Sequence, residues 1–270
     1  MQASTRWAVG WLASICLSGC TIEPNYLDPN GPRHAGDHTG GATPSDDGLL
    51  VVSYNLALGR EIERAIAALQ REPLAGADLI LMQEMDPEGV EKIASALRLR
   101  YVYYPASLKQ GRDWGNAIFS RWPLLDDHKL LLPHADPYTD TRRIAVAARV
   151  EVAGRSVLVH CTHIATPALG LGARLDQIQT IIDDAGEAPL AVMGGDFNTG
   201  DPGSGPQVLD LLRSSRFAWA SDRARGSGSR LGYHFTLDYV FARGLAASAS
   251  GTFDGEAGSD HQPVWVELAP

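Results

Sequence analysis

The chain has 270 residues, 44% of them hydrophobic and 20% charged, with a formal net charge of −9. That length and apolar content allow one large domain with a full core, and the acidic balance excludes a strong global field that would gather nucleic acid nonspecifically. With 3 cysteines the chain cannot be a disulfide-stapled scaffold.

The first element is a leader. Arg6 precedes an apolar run from Trp7 to Leu17 that closes with Leu17-Ser18-Gly19-Cys20. The run is too short to span a bilayer and has the charged start, apolar middle and small-residue end of an export signal. Leu-Ser-Gly-Cys resembles the lipobox of bacterial lipoproteins, which implies a signal peptide over residues 1–19 and a lipidated Cys20 as the mature N-terminus. The other reading is an ordinary cleaved leader with an incidental cysteine. Thr21 rather than Asp follows Cys20, so the resemblance implies an exported, membrane-anchored lipoprotein of the cell envelope, on the outer rather than the inner membrane of a double-membraned cell. Cys161 is then the sole remaining thiol and reads as a small core residue.

Residues 20–48 are rich in Pro, Asn, Gly, Asp, His and Thr. Such a segment buries too little apolar surface to offset its ordering entropy, so it is expected to be a flexible tether between Cys20 and a single domain spanning 49–270. His34 and His38 within it are expected to be solvated.

From residue 49 onward, runs rich in Val, Ile, Leu and Tyr predict strands over 49–54, 78–82, 100–104, 116–120, 144–152, 156–162, 190–193, 237–241 and 263–268. Helical periodicity lies between some of them: Ile62, Ile66 and Leu69 share one face, as do Val90, Ile93, Ala94 and Leu97, and Leu175, Ile178, Ile181 and Ile182. Between Tyr101 and Thr162 no helix is predicted, so successive strands form hairpins. This order predicts an α/β fold with two packed mixed β-sheets flanked by helices, a four-layer α/β/β/α sandwich.

Polar clusters stand at the ends of these strands. Glu84 follows an apolar run where a strand emerges, and there it can hold a hard cation such as Mg²⁺ or serve as an acid at the start of the next helix. Asp196 and Asn198 flank Phe197 behind two glycines. In extended backbone both polar side chains would point one way and Phe197 into the core, while an Asx turn is the competing reading. Asp260-His261 offers a carboxylate and an imidazole in different directions, the latter suited to proton work near neutrality. His160 and His163 differ in parity, so His163 is the candidate for the site and His160 for the core or surface. Asp238 is a buried-strand carboxylate that needs a partner, and a catalytic histidine is the natural one.

The series Tyr54-Asn55, Gln83-Glu84, Gly115-Asn116-Ala117-Ile118-Phe119-Ser120-Arg121, Thr162-His163, Gly195-Asp196-Phe197-Asn198, Leu237-Asp238-Tyr239 and Ser259-Asp260-His261 resembles the endonuclease/exonuclease/phosphatase superfamily, in the same order. The resemblance implies metal-dependent hydrolysis at phosphorus, with Mg²⁺ as the cofactor and Mn²⁺ as its substitute. It implies that Asn55, Glu84 and Asp260 hold or flank the metal. It implies that His261 acts as general base, proton donor or phosphate clamp. By the same resemblance Asp196 and Asn198 position water and the pentavalent phosphorus, His163 binds phosphate or protonates the leaving group, and Asp238 orients a histidine. Asn116 and Arg143 are the implied supports for phosphate. Cys161 stands where many relatives place Asn, with no implied effect on the chemistry.

Substrate is read less directly. Lys109, Arg112 and Trp114 precede Gly115, and Arg223, Arg225 and Arg230 lie in a Gly/Ser loop before Asp238; either group could grip a phosphate backbone or headgroup, or be a solvated loop. Three functions follow: a phosphodiesterase or nuclease, a hydrolase of phospholipid headgroups (sphingomyelinase-like) or inositol phosphates, and an inactive binding lipoprotein. The partners expected are a phosphodiester substrate and, through the lipid anchor, a membrane, with no obligate protein partner.

Overall fold

The computed structural model describes residues 25–42, 48–201, 203–230 and 233–269. The leader and Cys20 lie outside the described residues, as does the Arg230 side chain. In chain order the first strands are β1 (His34–Asp37), β2 (Leu49–Asn55), β3 (Leu79–Met85), β4 (Arg100–Lys109), β5 (Arg112–Ser120), β6 (Leu125–Ala135), β7 (Arg142–Val152) and β8 (Arg155–His163). They continue as β9 (Ala191–Asp196), β10 (Ala218–Trp219), β11 (Gly228–Arg230), β12 (Tyr233–Phe235), β13 (Asp238–Arg243), β14 (Ala246–Thr252) and β15 (Val264–Ala269). The α-helices are α1 (Ile62–Leu69), α2 (Pro87–Leu97), α3 (Leu171–Ala185) and α4 (Ser204–Ser214).

A 7-stranded sheet runs β1-β4-β5-β3-β2-β15-β14 and a 6-stranded sheet runs β10-β13-β9-β8-β7-β6. Each contains one parallel pair, β2 with β3 and β8 with β9, and α1 and α3 make the two crossovers that parallel pairing requires. Strand periodicity sorts the side chains into layers. Val51, Leu79, Leu81, Ile118, Val146, Val159 and Val192 point into the space between the sheets. Their neighbours Val52, Ile80, Met82 and Phe119 turn outward beneath α1 and α2, and Ala191, Met193 and Phe241 lie beneath α3 and α4. The four-layer α/β/β/α sandwich is therefore built as the strand pattern predicts, with the hairpins β4–β5, β6–β7 and β7–β8 filling the stretch that lacks helices.

Two expectations are corrected. The segment read as a tether is structured over 25–42: β1 pairs antiparallel with β4, and Lys129 Nζ on β6 donates to Tyr26 O at 2.9 Å and Gly31 O at 2.7 Å. Polar composition misled here because this strap gains its order from backbone and ionic contacts with both sheets rather than from a core of its own. Accordingly, His38 meets Glu91 at 2.9 Å and the His34 ring lies 5.7 Å from that of Tyr103. Strands β6 and β14, the short β10, β11 and β12, and helix α4 lie outside the predicted elements. β6 is an edge strand whose short Leu130-Leu131-Leu132 run is preceded by the charged Asp126, Asp127, His128 and Lys129, and β14 is Ala-Ala-Ser-Ala-Ser-Gly-Thr, with no apolar run. Among the described residues no helix is long and apolar enough to cross a membrane.

Candidate active site

The parallel strands set the site. β2 and β3 end together, with Asn55 in register with Gln83, and β8 and β9 end together, with His163 in register with Asp196. β13 runs antiparallel to β9 and begins with Asp238 opposite Asp196. The two sheets thus bring their polar strand ends to one edge of the sandwich.

Asp196 is the hub. Its Oδ2 accepts from Asn55 Nδ2 at 3.1 Å, a bond that crosses from one sheet to the other, and from Asn198 Nδ2 at 3.3 Å, while Oδ1 accepts from the Asn198 amide at 2.8 Å. The last bond closes an Asx turn, and Asn198 is left-handed at φ 51. Extended backbone through Asn198 is therefore corrected: the side chains of Asp196 and Asn198 meet because the chain turns. Phe197 is still buried, packed edge-on against Tyr239 and Phe241. Gly195 makes this possible, since a Cβ there would lie 1.8 Å from Thr162 O.

His261 completes the center. Its Nδ1 lies 2.7 Å from Asp238 Oδ2 and its Nε2 4.0 Å from Asp196 Oδ2. Burial acts to lower the His261 pKa, but the Asp238 carboxylate overrides it, so the imidazole is held cationic. Burial raises the Asp196 pKa above the usual carboxylate range, and Asp238 adds to this. His163 is the opposite case: burial, with Arg143 and Lys109 nearby, pushes its pKa well down. Its Nε2 accepts from Arg143 at 2.9 Å and lies 3.3 Å from Asp196 Oδ2, so the ring is neutral with its hydrogen on Nδ1. One edge therefore holds a cationic and a neutral imidazole on either side of a carboxylate whose affinity for protons is raised.

The other expected residues fall around this center. The Arg143 guanidinium lies 4.6 Å from the Trp114 ring and Lys109 Nζ 4.7 Å from it, while the Trp114 and His163 rings are 5.2 Å apart. Trp114 is thus a buried wall of the site rather than part of a basic loop, and its parity with Asn116 on β5 was the available signal. Asn116 Nδ2 donates to Ile144 O at 2.9 Å, tying β5 to β7 beside Arg143. His160 turns away to Asp184 at 2.8 Å. Arg225 folds back on its own loop, donating to Ala224 O at 2.7 Å. Asp260 lies on an exposed rim, lining a groove with Ala57, Glu61 and Ser259.

A sequence model described as the Endonuclease/Exonuclease/phosphatase family matches residues 52–261, most of the chain. The chain belongs to this family. It is accordingly a metal-dependent phosphoric ester hydrolase. No curated protein matches it. Among solved structures, an endonuclease/exonuclease/phosphatase from Beutenbergia cavernae DSM 12333 superposes with a TM-score of 0.68 at 19% identity, covering 82% of this chain and 71% of that one. D. rerio TDP2 complexed with single strand DNA product gives 0.64 at 15% identity, covering 82% and 98%. A Bacteroides thetaiotaomicron VPI-5482 mannosyl-6-phosphatase gives 0.63 at 19%, covering 82% and 99%. At these identities the likeness is one of fold.

The family uses divalent metal ions, and the residues present fit one. Asp196, Asp238 and His261 form an acid–imidazole group with ligand atoms within 4.8 Å of one another. Asp238 Oδ2, however, is already engaged by His261 Nδ1, so that group is a hydrogen-bonded dyad beside a carboxylate rather than a ligand set. Glu84 is the better donor. It stands one residue beyond the register partner of Asn55, in the left-handed region at φ 60, a conformation that is costly for glutamate and characteristic of functional sites. It also does not cap the next helix: Asp86 does, accepting from Gly89 N at 2.7 Å. Glu84 presents a hard carboxylate donor, and Asn55 Oδ1, which already accepts from Ala57 N at 3.0 Å, keeps a second lone pair; such oxygens suit Mg²⁺ or Mn²⁺.

Proposed function

We propose that this edge hydrolyses a phosphodiester with water, assisted by Mg²⁺, in a protein exported and anchored through a lipidated Cys20. The observation that carries the reading is the charge division about Asp196: a cationic His261 on one side, a neutral His163 backed by Arg143 on the other. Groups pushed apart in pKa identify acid and base roles. Asp196, with its raised proton affinity, accepts the proton of the attacking water as the P–O bond to the leaving alcohol breaks, that proton going on to the leaving oxygen through solvent, and Asn55 and Asn198 hold its carboxylate in place. His261, kept protonated by Asp238, faces the negative charge that builds on the phosphoryl oxygens, the role of a clamp rather than of a base. Arg143 and His163 receive the phosphate from the other side. When bound by Glu84 and Asn55, with Asp260 at the rim, a divalent ion supplies Lewis-acid neutralisation of phosphate charge.

The TDP2 complex with a DNA product supports nucleic acid as one substrate class, and the mannosyl-6-phosphatase supports small phosphate esters as another. The test is hydrolysis of plasmid DNA, RNA, sphingomyelin and bis-p-nitrophenyl phosphate, each with Mg²⁺ and with EDTA. Turnover of at least one diester that EDTA abolishes is expected. Silence on all four with any divalent ion would sink the reading in favour of a binding lipoprotein.

A further inference from the structure

The described chain begins at the same edge as the site. Asn25 Nδ2 donates to Asp140 O at 2.7 Å, its Oδ1 accepts from the Arg142 amide at 2.8 Å, and its backbone bridges Ser107 at the end of β4. Arg142 adjoins Arg143, which touches His163. Cys20 is only five positions before Asn25, and an extended chain of that length spans at most about 18 Å. A lipid on Cys20 would therefore hold this edge, and not the far end of the sandwich, close to the bilayer.

The surface there matches such a neighbour. The described residues expose three large hydrophobic side chains, Tyr138 at 75%, Leu27 at 51% and Leu125 at 44%. Leu125 opens β6 opposite Arg149, at the far end. Tyr138 is at the site edge, and Leu27 lies just below it, where the strap leaves Asn25. Leu27 is two residues from Asn25, beside Tyr26, whose Oη donates to Asp113 on β5 at 2.6 Å. Tyr138 sits at the tip of the β6–β7 hairpin, in a turn fixed by Asp136 Oδ1 accepting from the Tyr138 and Thr139 amides at 2.9 and 3.0 Å. Lys109 and Arg142 stand nearby and, among the described residues, have no carboxylate within ion-pair distance, although Asp28, Asp136 and Asp140 flank the two tips in sequence. Apolar tips with basic residues behind them are the chemistry of an interfacial membrane contact.

We propose that this edge is a bilayer-facing surface, seated by Leu27 and Tyr138, which opens the active site onto phosphodiesters presented by lipid headgroups. The substrate half of this inference rests on the phosphodiesterase reading, and the orientation half on the lipidation of Cys20 alone.

The full lipidated chain is reconstituted into vesicles of phosphatidylethanolamine, phosphatidylglycerol and sphingomyelin with an environment-sensitive fluorophore on Tyr138→Cys or, as the control at the far end of the sheet where β8 begins, on Arg155→Cys; Cys161 is buried and stays unlabelled. Quenching by a spin-labelled lipid is expected at position 138 and not at position 155. Equal quenching, or none at 138, overturns the orientation. With the Leu27→Ser/Tyr138→Ser variant, turnover of vesicle sphingomyelin is expected to fall about tenfold while soluble bis-p-nitrophenyl phosphate turns over as before, the loss of two interfacial anchors. Parallel loss on both substrates, or on neither, overturns the substrate half. Quenching at 138 without hydrolysis of any diester would remove the phosphodiesterase reading and leave the orientation standing.

Discussion

His261 Nδ1 and Asp238 Oδ2 are 2.7 Å apart although 23 residues separate them in sequence, and the carboxylate is almost wholly buried. A buried carboxylate without a partner is costly, so the pair serves both stability and chemistry: it satisfies Asp238 and keeps His261 charged.

Replacing either side of the reaction center should cost activity far more than it disturbs the fold, although His261→Ala also lowers stability because it leaves Asp238 unpaired. His261→Ala and Asp196→Asn are each expected to lower bis-p-nitrophenyl phosphate turnover by about 10²–10⁴-fold, the usual range for one proton-transfer or charge-stabilising group. Circular dichroism should show the fold intact. Wild-type turnover in either variant would remove the residue from the mechanism.

Glu84→Gln keeps the size of the side chain and removes the charge offered to a cation. The expected result is a weaker dependence on Mg²⁺: the concentration for half-maximal activity rises about 10-fold or more, as losing a charged oxygen ligand predicts. A titration unchanged from wild type would show that the ion sits elsewhere.

Cys161 is fully buried, and that burial pushes its thiol pKa up to about 12. At neutral pH the thiolate fraction falls roughly a thousandfold below that of a free cysteine. The native protein should be inert to a thiol-disulfide reagent and react fully in guanidinium; fast labelling of the native thiol would contradict the packing described.

A pH effect on stability is expected away from the site. His128 Nε2 meets Asp184 Oδ1 at 2.9 Å, and this bond raises the His128 pKa while His128 and His160 together overcome burial to depress that of Asp184. A raised histidine contributes stability in full below its unfolded pKa of about 6.5, lost as pH rises through the folded value. A depressed carboxylate contributes above about 3.9, lost as pH falls through its folded value. His128→Ala should thus cost about 0.5–1 kcal/mol at pH 5.5, modest because the ring is half exposed, and little at pH 9. A cost that grows toward pH 9 would reverse the assignment.

How much of this was legible depended on whether a residue's environment is local. Asn55, Glu84, His163, Asp196, Asp238 and His261 all stand at ends of apolar runs, so their convergence could be inferred from the strands alone. The strap over 25–42 could not, because its order comes from Lys129 and from β4, distant in sequence and invisible to composition. Asn198 lies beside Asp196 as expected, but through the Asx turn that was the competing reading: its conformation is set by one local bond to Asp196, and alternation along a strand says nothing once the strand has ended. Asn116 pointed to the right edge but not to its own hydrogen bond, since Ile144 O belongs to the other sheet.

Asn55 to Asp196, Gln83 to Cys161 and Asn116 to Ile144 each reach from one sheet to the other near this edge. The site is in effect a vernier between two plates: a slip of one strand position, about 3.3 Å, would break all three readings at once. Neither sheet can loosen by itself and leave a working half, so heat inactivation and cooperative melting should share a single midpoint, and a variant that keeps partial activity must keep the two plates aligned.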